Sequence, residues 1–444
     1  MMSEPTALLK FSAMSRKISP LLFALGLVLG LPSPCDAQLT RGAELQVNGR
    51  TLGRQAVPDV AMAPDGHSVV VWVDGGVRGT PSNIMARVLT ANGTPRTGDL
   101  RVSTLEPGFQ DHPRVAIAAS GKFVVVWQSR ASAQAQSRVY GRRFNASGQP
   151  MGQRFRLGAG YGRDQFEPDV AAAPDGRFVV AWTELDGQLD PDDGAPMSDV
   201  LARRFGAGGQ PLAQEWTAAG GWYNQYAPAV AMNRSGAFAI AVEDYSESNA
   251  HDDGESDAYA YTYGPDGMLR HALFPPLYGG EHVGEEQLNA AVALADDGTA
   301  ILAWYDSEAD DSDDEDYWSN APGILAQRFD AAGEIAGLLL RAATTILNVQ
   351  TEVALSTAPG GFLIAWTSEG GQDGDGRGVF AQRLAADGTK IGPETALATY
   401  IQGNQSLPAV AVAPDGRGLA VWQSMRRDGD DFGVAARRIY LKPR

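Results

Sequence analysis

The chain has 444 residues and a 44% hydrophobic content, enough for several ordinary domains or for one large repeat architecture with a sizeable core. Its 53 acidic residues outnumber 36 basic ones, leaving a net charge of −17. A field of that sign repels nucleic acid and anionic lipid, which excludes nucleic acid as a partner; it favours a monomer and attracts cations.

The first forty residues stand apart. Lys10, Arg16 and Lys17 precede an apolar run at 21–29, followed by Pro32, Pro34 and the small stretch Cys35-Asp36-Ala37. That order is a secretory signal peptide over residues 1–37, starting from Met1 or Met14, with cleavage after Ala37. The run is too short to span a bilayer, so the mature chain is expected to lack a transmembrane segment. It is expected in the periplasm, outside the cell or on its surface. Cys35 is the only cysteine, so the mature chain has no thiol and depends on packing rather than on disulfides.

A phrase then repeats. Gln55 opens it, followed by Pro58-Asp59-Val60-Ala61-Met62-Ala63-Pro64-Asp65-Gly66 and Val69-Val70-Val71-Trp72. It restarts at Gln110, Gln165, Gln225, Gln287, Gln350 and Gln405, and its tryptophan returns as Trp127, Trp182, Trp304, Trp366 and Trp422, with Val242 in the fourth copy. Each copy reads as four short strands. The first hairpin turns on dipeptides such as Asp65-Gly66 and Asp415-Gly416, the second on Asn92-Gly93 or Asp387-Gly388, which tolerate the positive φ such turns need.

The second strands, for example 123–127 and 362–366, are apolar at every position, so both sheet faces must be covered. No helical periodicity supplies a cover. Sheets stacked around an axis do, and the fold class is therefore all-β: a seven-bladed β-propeller of four-stranded antiparallel blades over residues 38–444. The last copy ends without a fourth strand, while residues 43–48 near the start match one. The N-terminal strand is expected to pair into the last blade and close the ring. The recurring tryptophan reads as packing, the Arg of each third strand (Arg143, Arg204, Arg328, Arg383, Arg438) as an ion pair with a turn Asp, and the opening Gln as a cap on the neighbouring blade.

Loops carry what chemistry there is. Those after the tryptophan position are long and acidic in blades three, four and five, and include Asp252 and Asp253. Aromatic residues share this sector: Trp222, Tyr245, Tyr305 and Trp318 are candidates for stacking on a sugar or a cationic ligand, with core packing as the plainer explanation. Equivalent loops in blades six and seven alternate Asp and Gly, which marks Asp373, Asp375, Asp428 and Asp430 as candidate Ca²⁺ ligands, or as polar turns. Apart from Ca²⁺, no cofactor is expected. The histidines share no ligand spacing, and the chain has no nucleophile elbow or phosphate loop.

The run Gln372-Asp373-Gly374-Asp375-Gly376, continuing into Gly378-Val379-Phe380-Ala381-Gln382-Arg383-Leu384 and Ala386-Asp387-Gly388, resembles a repeat of large exported bacterial proteins that are mostly uncharacterised. The Pro-Asp-Gly hairpins are similar to those of TolB-type propellers. This resemblance implies a propeller at the cell surface or secreted, and it supplies no catalytic residues. The functional expectation is an exported, non-enzymatic binding or adhesion module for a protein or carbohydrate ligand. The alternatives are a secreted hydrolase (a glycosidase or a calcium-dependent phosphatase) and a structural envelope protein.

Overall fold

Hairpins form where the repeat places its glycines. In blade one Gly66 has φ of 86° and Gly93 of 77°, and each N–H donates to a carbonyl three residues back, Ala63 and Thr90, at 2.8 Å. The computed structural model describes residues 39–75, 81–103, 108–159, 162–189, 196–221, 224–245, 256–275, 287–307, 323–345 and 349–442. Among them the chain forms 28 strands, numbered β1 to β28 in chain order, and no helix. They make seven four-stranded sheets, each a simple meander but one.

The innermost strands are β2 (Arg54–Met62), β6 (Phe109–Ile117), β10 (Gln165–Ala172), β14 (Asn224–Met232), β18 (Gln287–Leu294), β22 (Gln350–Ala358) and β26 (Gln405–Val412). Each touches the next, and β26 touches β2, so the circle is complete. Alanine and valine suit this crowded axis.

The apolar second strands serve two seams at once, because alternate residues point to opposite faces. Val69 and Val71 join Val125 and Trp127 of blade two, whereas Val70 and Trp72 join Leu419 and Val421 of blade seven. The same division repeats around the ring, giving one core cluster per seam. The tryptophans at the repeat position therefore all face the preceding blade, and all are fully buried. Burying one of them stabilises a seam by about 3 kcal/mol. Blade four, with Val242 in place of the tryptophan, keeps the aromatic stack of its neighbours: Phe238 stacks on Tyr263 at 4.8 Å, as Phe178 does on Phe205 in blade three, and Trp216 of blade three lies against Phe238 and Tyr263.

The exceptional sheet is the one that fastens the ring. Its order is β1 (Leu39–Gln46), β28 (Phe432–Leu441), β27 (Arg417–Met425), β26. The closing strand starts at Leu39, four residues before the sequence reading put it, because the chain shifts register between Arg41 and Glu44 and goes on pairing out to Leu441. Asn48 lies past the ladder yet still accepts the Val434 N–H at 2.8 Å. Glu44, almost fully buried, accepts the Thr399 N–H at 2.7 Å and pairs with Arg437 at 3.1 Å and with Arg427.

Two sequence expectations need correction. In three copies the repeated Arg is held by turn carbonyls rather than by the expected ion pair. Arg143, Arg204 and Arg438 donate to the turn carbonyls of the following blade, at Ala207 and Gly208, Pro265 and Asp266, and Asn92. A guanidinium fork suits carbonyls that a hairpin leaves pointing outward. The preceding Arg reaches the other way: Arg142 donates to Val102 O at 2.9 Å and Arg203 to Leu157 O at 3.2 Å, in the blade before. The opening Gln serves its own blade in four copies, while Gln287 accepts the Ala258 N–H of blade four at 3.2 Å, as a cap on the neighbour does. Gln55 donates to Asp74 at 3.1 Å, Gln165 to Glu184 at 2.6 Å and Gln225 to Asp244 at 3.0 Å, while Gln110 accepts from Trp127 Nε1 at 3.0 Å.

Candidate functional site

Pairing fixes which loops share a face. Gly75, at the end of β3 (Ser68–Gly75), lies opposite Ser82 and Arg54, so the loop after the tryptophan and the link between blades sit at one end of each sheet. The tight turns sit at the other.

At the loop end of the axis every innermost strand carries the same irregularity. Val57, His112, Glu167, Ala227, Asn289, Glu352 and Leu407 have φ between 47° and 56°, each inside a register shift of its strand pair. A non-glycine residue pays a steric cost there, so seven repeats of it mean that the surroundings enforce it. In four of the copies a hydrogen bond across the seam contributes to this. Val57 donates its N–H to Gln423 Oε1 at 3.4 Å, Glu167 to Gln128 Oε1 at 3.0 Å, and Asn289 to Glu243 Oε1 at 2.6 Å. Each acceptor directly follows the repeat tryptophan, or Val242, of the preceding blade. Where that place holds Thr367, the amide of Leu407 instead donates to Glu352 at 2.6 Å, and Thr367 donates to the same carboxylate at 2.6 Å. Thr183 and Glu167 repeat that pairing at 3.5 Å.

Burial gives these groups unusual protonation. Glu243 is pushed up to about 7 by desolvation, and the charge of Glu167 adds to the rise, against the Asn289 N–H that opposes it. Two residues further along the inner strands, Asp59 and Asp169 accept the N–H of Val115 at 2.7 Å and of Val230 at 2.6 Å, again in the next blade. Burial raises both, Asp59 to about 6, while Arg114 between them opposes the rise. At that level blades four to seven offer only alanine: Ala229, Ala291, Ala354 and Ala409. In blade three, Glu184 and Asp186 are buried near Asp199, whose carboxyl is raised by burial first and by Asp186 next.

The predicted site residues scatter. Trp222, Trp318, Asp252 and Asp253 lie outside the described residues. Tyr245 closes its strand opposite Asn224 and Ser256. Tyr305 directly follows Trp304, in the place that reaches the next blade elsewhere, and packs against the core between blades five and six. The two tyrosines thus occupy non-equivalent positions on adjacent blades. Asp375 accepts the Gly403 N–H at 3.0 Å and Asp430 the Gly53 N–H at 2.9 Å, each tying its loop to the link into the next blade. Asp428 accepts from Asn48 at 2.9 Å, and Asp373 packs beside Gly378, with burial raising its carboxyl. Among the described residues no three acidic, histidine or cysteine side chains gather closely enough to hold a metal ion.

Sequence reasoning passed over the ring of left-handed residues. Its signal was present: a Pro follows the residue in most copies, and Gln, Glu or Thr recurs after the tryptophan.

No family model matches the sequence, and no curated protein does. Among solved structures the chain is similar to a protein of unknown function from Dyadobacter fermentans, with a TM-score of 0.54 at 11% identity over 91% of this chain and 99% of that one. It is also similar to the polysaccharide lyase Uly1, with a TM-score of 0.52 at 11% identity over 89% and 92% of the two chains. A polysaccharide lyase described as an ulvan lyase gives 0.51 at 12% identity over 90% and 96%. At such identities the likeness is one of fold.

Proposed function

We propose that this chain is an exported, non-enzymatic binding propeller that takes a protein or carbohydrate ligand on the face of its blade links and long loops. One observation carries the reading: the carboxylates around the axis are spent on the ring itself. Glu243, Glu352, Asp59 and Asp169 each accept a backbone N–H from the following blade. A carboxylate that moved a proton to or from a substrate would loosen a seam at every turnover. The reading needs no metal, because three of the four aspartates in the Asp-Gly loops already accept hydrogen bonds.

The test is a glycan array together with a pull-down from envelope fractions. It compares the natural protein with one whose segments 190–195, 246–255 and 308–322 are replaced by Gly-Ser of equal length. A ligand held by the first and lost by the second supports the reading. Turnover of a glycan or phosphoester that disappears in Glu243→Gln would overturn it in favour of a hydrolase.

A further inference from the structure

Blade one carries a cleft of about 260 Å³ beside its tryptophan, on the loop face at the seam where the ring is fastened. The residue facing the tryptophan across the sheet forms one wall of it. In blade two that residue is Tyr140, which stacks on Trp127 at 6.1 Å and carries Arg154 over its ring at 4.2 Å. In blade one it is Met85, in β4 (Ser82–Leu89), a slimmer and unbranched side chain that leaves the space unfilled.

The lining of that space is polar in a particular way. Arg50 enters from the link behind the closing strand, pairs with Asp74 at 3.2 Å and keeps its side chain 62% exposed. Arg101, on the short outer strand β5 (Leu100–Arg101), donates among the described residues to the neutral amide oxygen of Asn83. Asp99 is already occupied by Arg87 at 2.5 Å and by the N–H groups of Gly49 and Arg50 at 2.9 and 3.1 Å. Among the described residues no carboxylate therefore pairs with Arg101, in a molecule that carries a large negative excess.

We propose that this cleft binds a small hydroxylated carboxylate, of the uronic-acid type, separately from any ligand of the loops in blades three to five. The Arg101 guanidinium takes the ligand carboxylate in a two-pronged hydrogen bond and Arg50 adds charge from the opposite wall. Asn83 and Asp74 accept from hydroxyls, while Met85 receives the apolar face of the ring. Such a ligand bridges the closing link to the outer strand of the first blade, so binding also strengthens ring closure.

The experiment is calorimetric titration with sodium D-glucuronate, with D-glucose and sodium acetate as controls. Glucuronate should bind, and both controls should bind at least about tenfold more weakly, since each lacks one half of the recognition. Arg101→Ala removes the carboxylate contact at an exposed position and should weaken glucuronate at least about tenfold with an unchanged melting temperature. Met85→Tyr should fill the cleft, as Tyr140 fills its counterpart, and abolish binding in a folded protein. No heat with glucuronate at about 10 mM, or equal affinity in Arg101→Ala, would overturn the assignment. Either result leaves the loop-face reading standing, since the Gly-Ser replacements do not touch this cleft.

Discussion

Replacing Glu44 by alanine tests the ring closure at its most exposed physical weakness. The side chain is nearly buried and lies between Arg437, of which 4% is exposed, and Arg427, at 17%. Burial already pulls both guanidinium groups below their usual range, and Arg41 and Arg437 itself add like charge nearby. Removing the carboxylate strands two cations in a poorly hydrated pocket, which costs about 3–5 kcal/mol. Spread over a ring of about 400 residues, that loss lowers the melting temperature by about 5 °C. The control is Glu215→Ala, which deletes the acid with the corresponding task in blade three. Glu215 accepts the Ala159 N–H at 2.8 Å, and its loss should cost about 1 kcal/mol. Thermal unfolding followed by circular dichroism reads both. If Glu44→Ala melts with the natural protein or with Glu215→Ala, the stranded-cation reasoning fails, and closure by the N-terminal strand contributes no more than an ordinary seam.

Further expectations follow from the axis and the cores. Glu243 is raised to about 7 in the folded chain, above its ordinary 4.5, so it contributes stability that is complete below about pH 4.5 and lost as pH rises through about 7. Gln128 and Gln423 fill the same place, so Glu243→Gln should match the natural protein at pH 4.5 and melt higher at pH 8; a lower melting temperature at pH 8 would refute the assignment. Trp304→Ala should cost about 3–5 kcal/mol in denaturant unfolding, because the side chain is fully buried between two sheets, and a loss under about 1 kcal/mol would contradict that packing. Melting curves with Ca²⁺ and with a chelator should coincide, given how Asp375, Asp428 and Asp430 are already engaged; a rise of several degrees with Ca²⁺ would show that the loops gather an ion.

The seven-fold phrase, the apolar second strands and the displaced fourth strand determined the propeller and its closure from the sequence alone. These are signals of period and of hydrophobic pattern, which depend on local chain geometry and on the need to cover both faces of a sheet. What the side chains do at the seams was a different matter. Arg143 bonds turn carbonyls and not a turn carboxylate, and Gln165 serves its own sheet and not the next, because each partner lies some twenty to sixty residues away along the chain. The cleft beside Trp72 is likewise tertiary. It exists because Met85, the link carrying Arg50 and the outer strand carrying Arg101 converge only after the chain's first strand has joined its last.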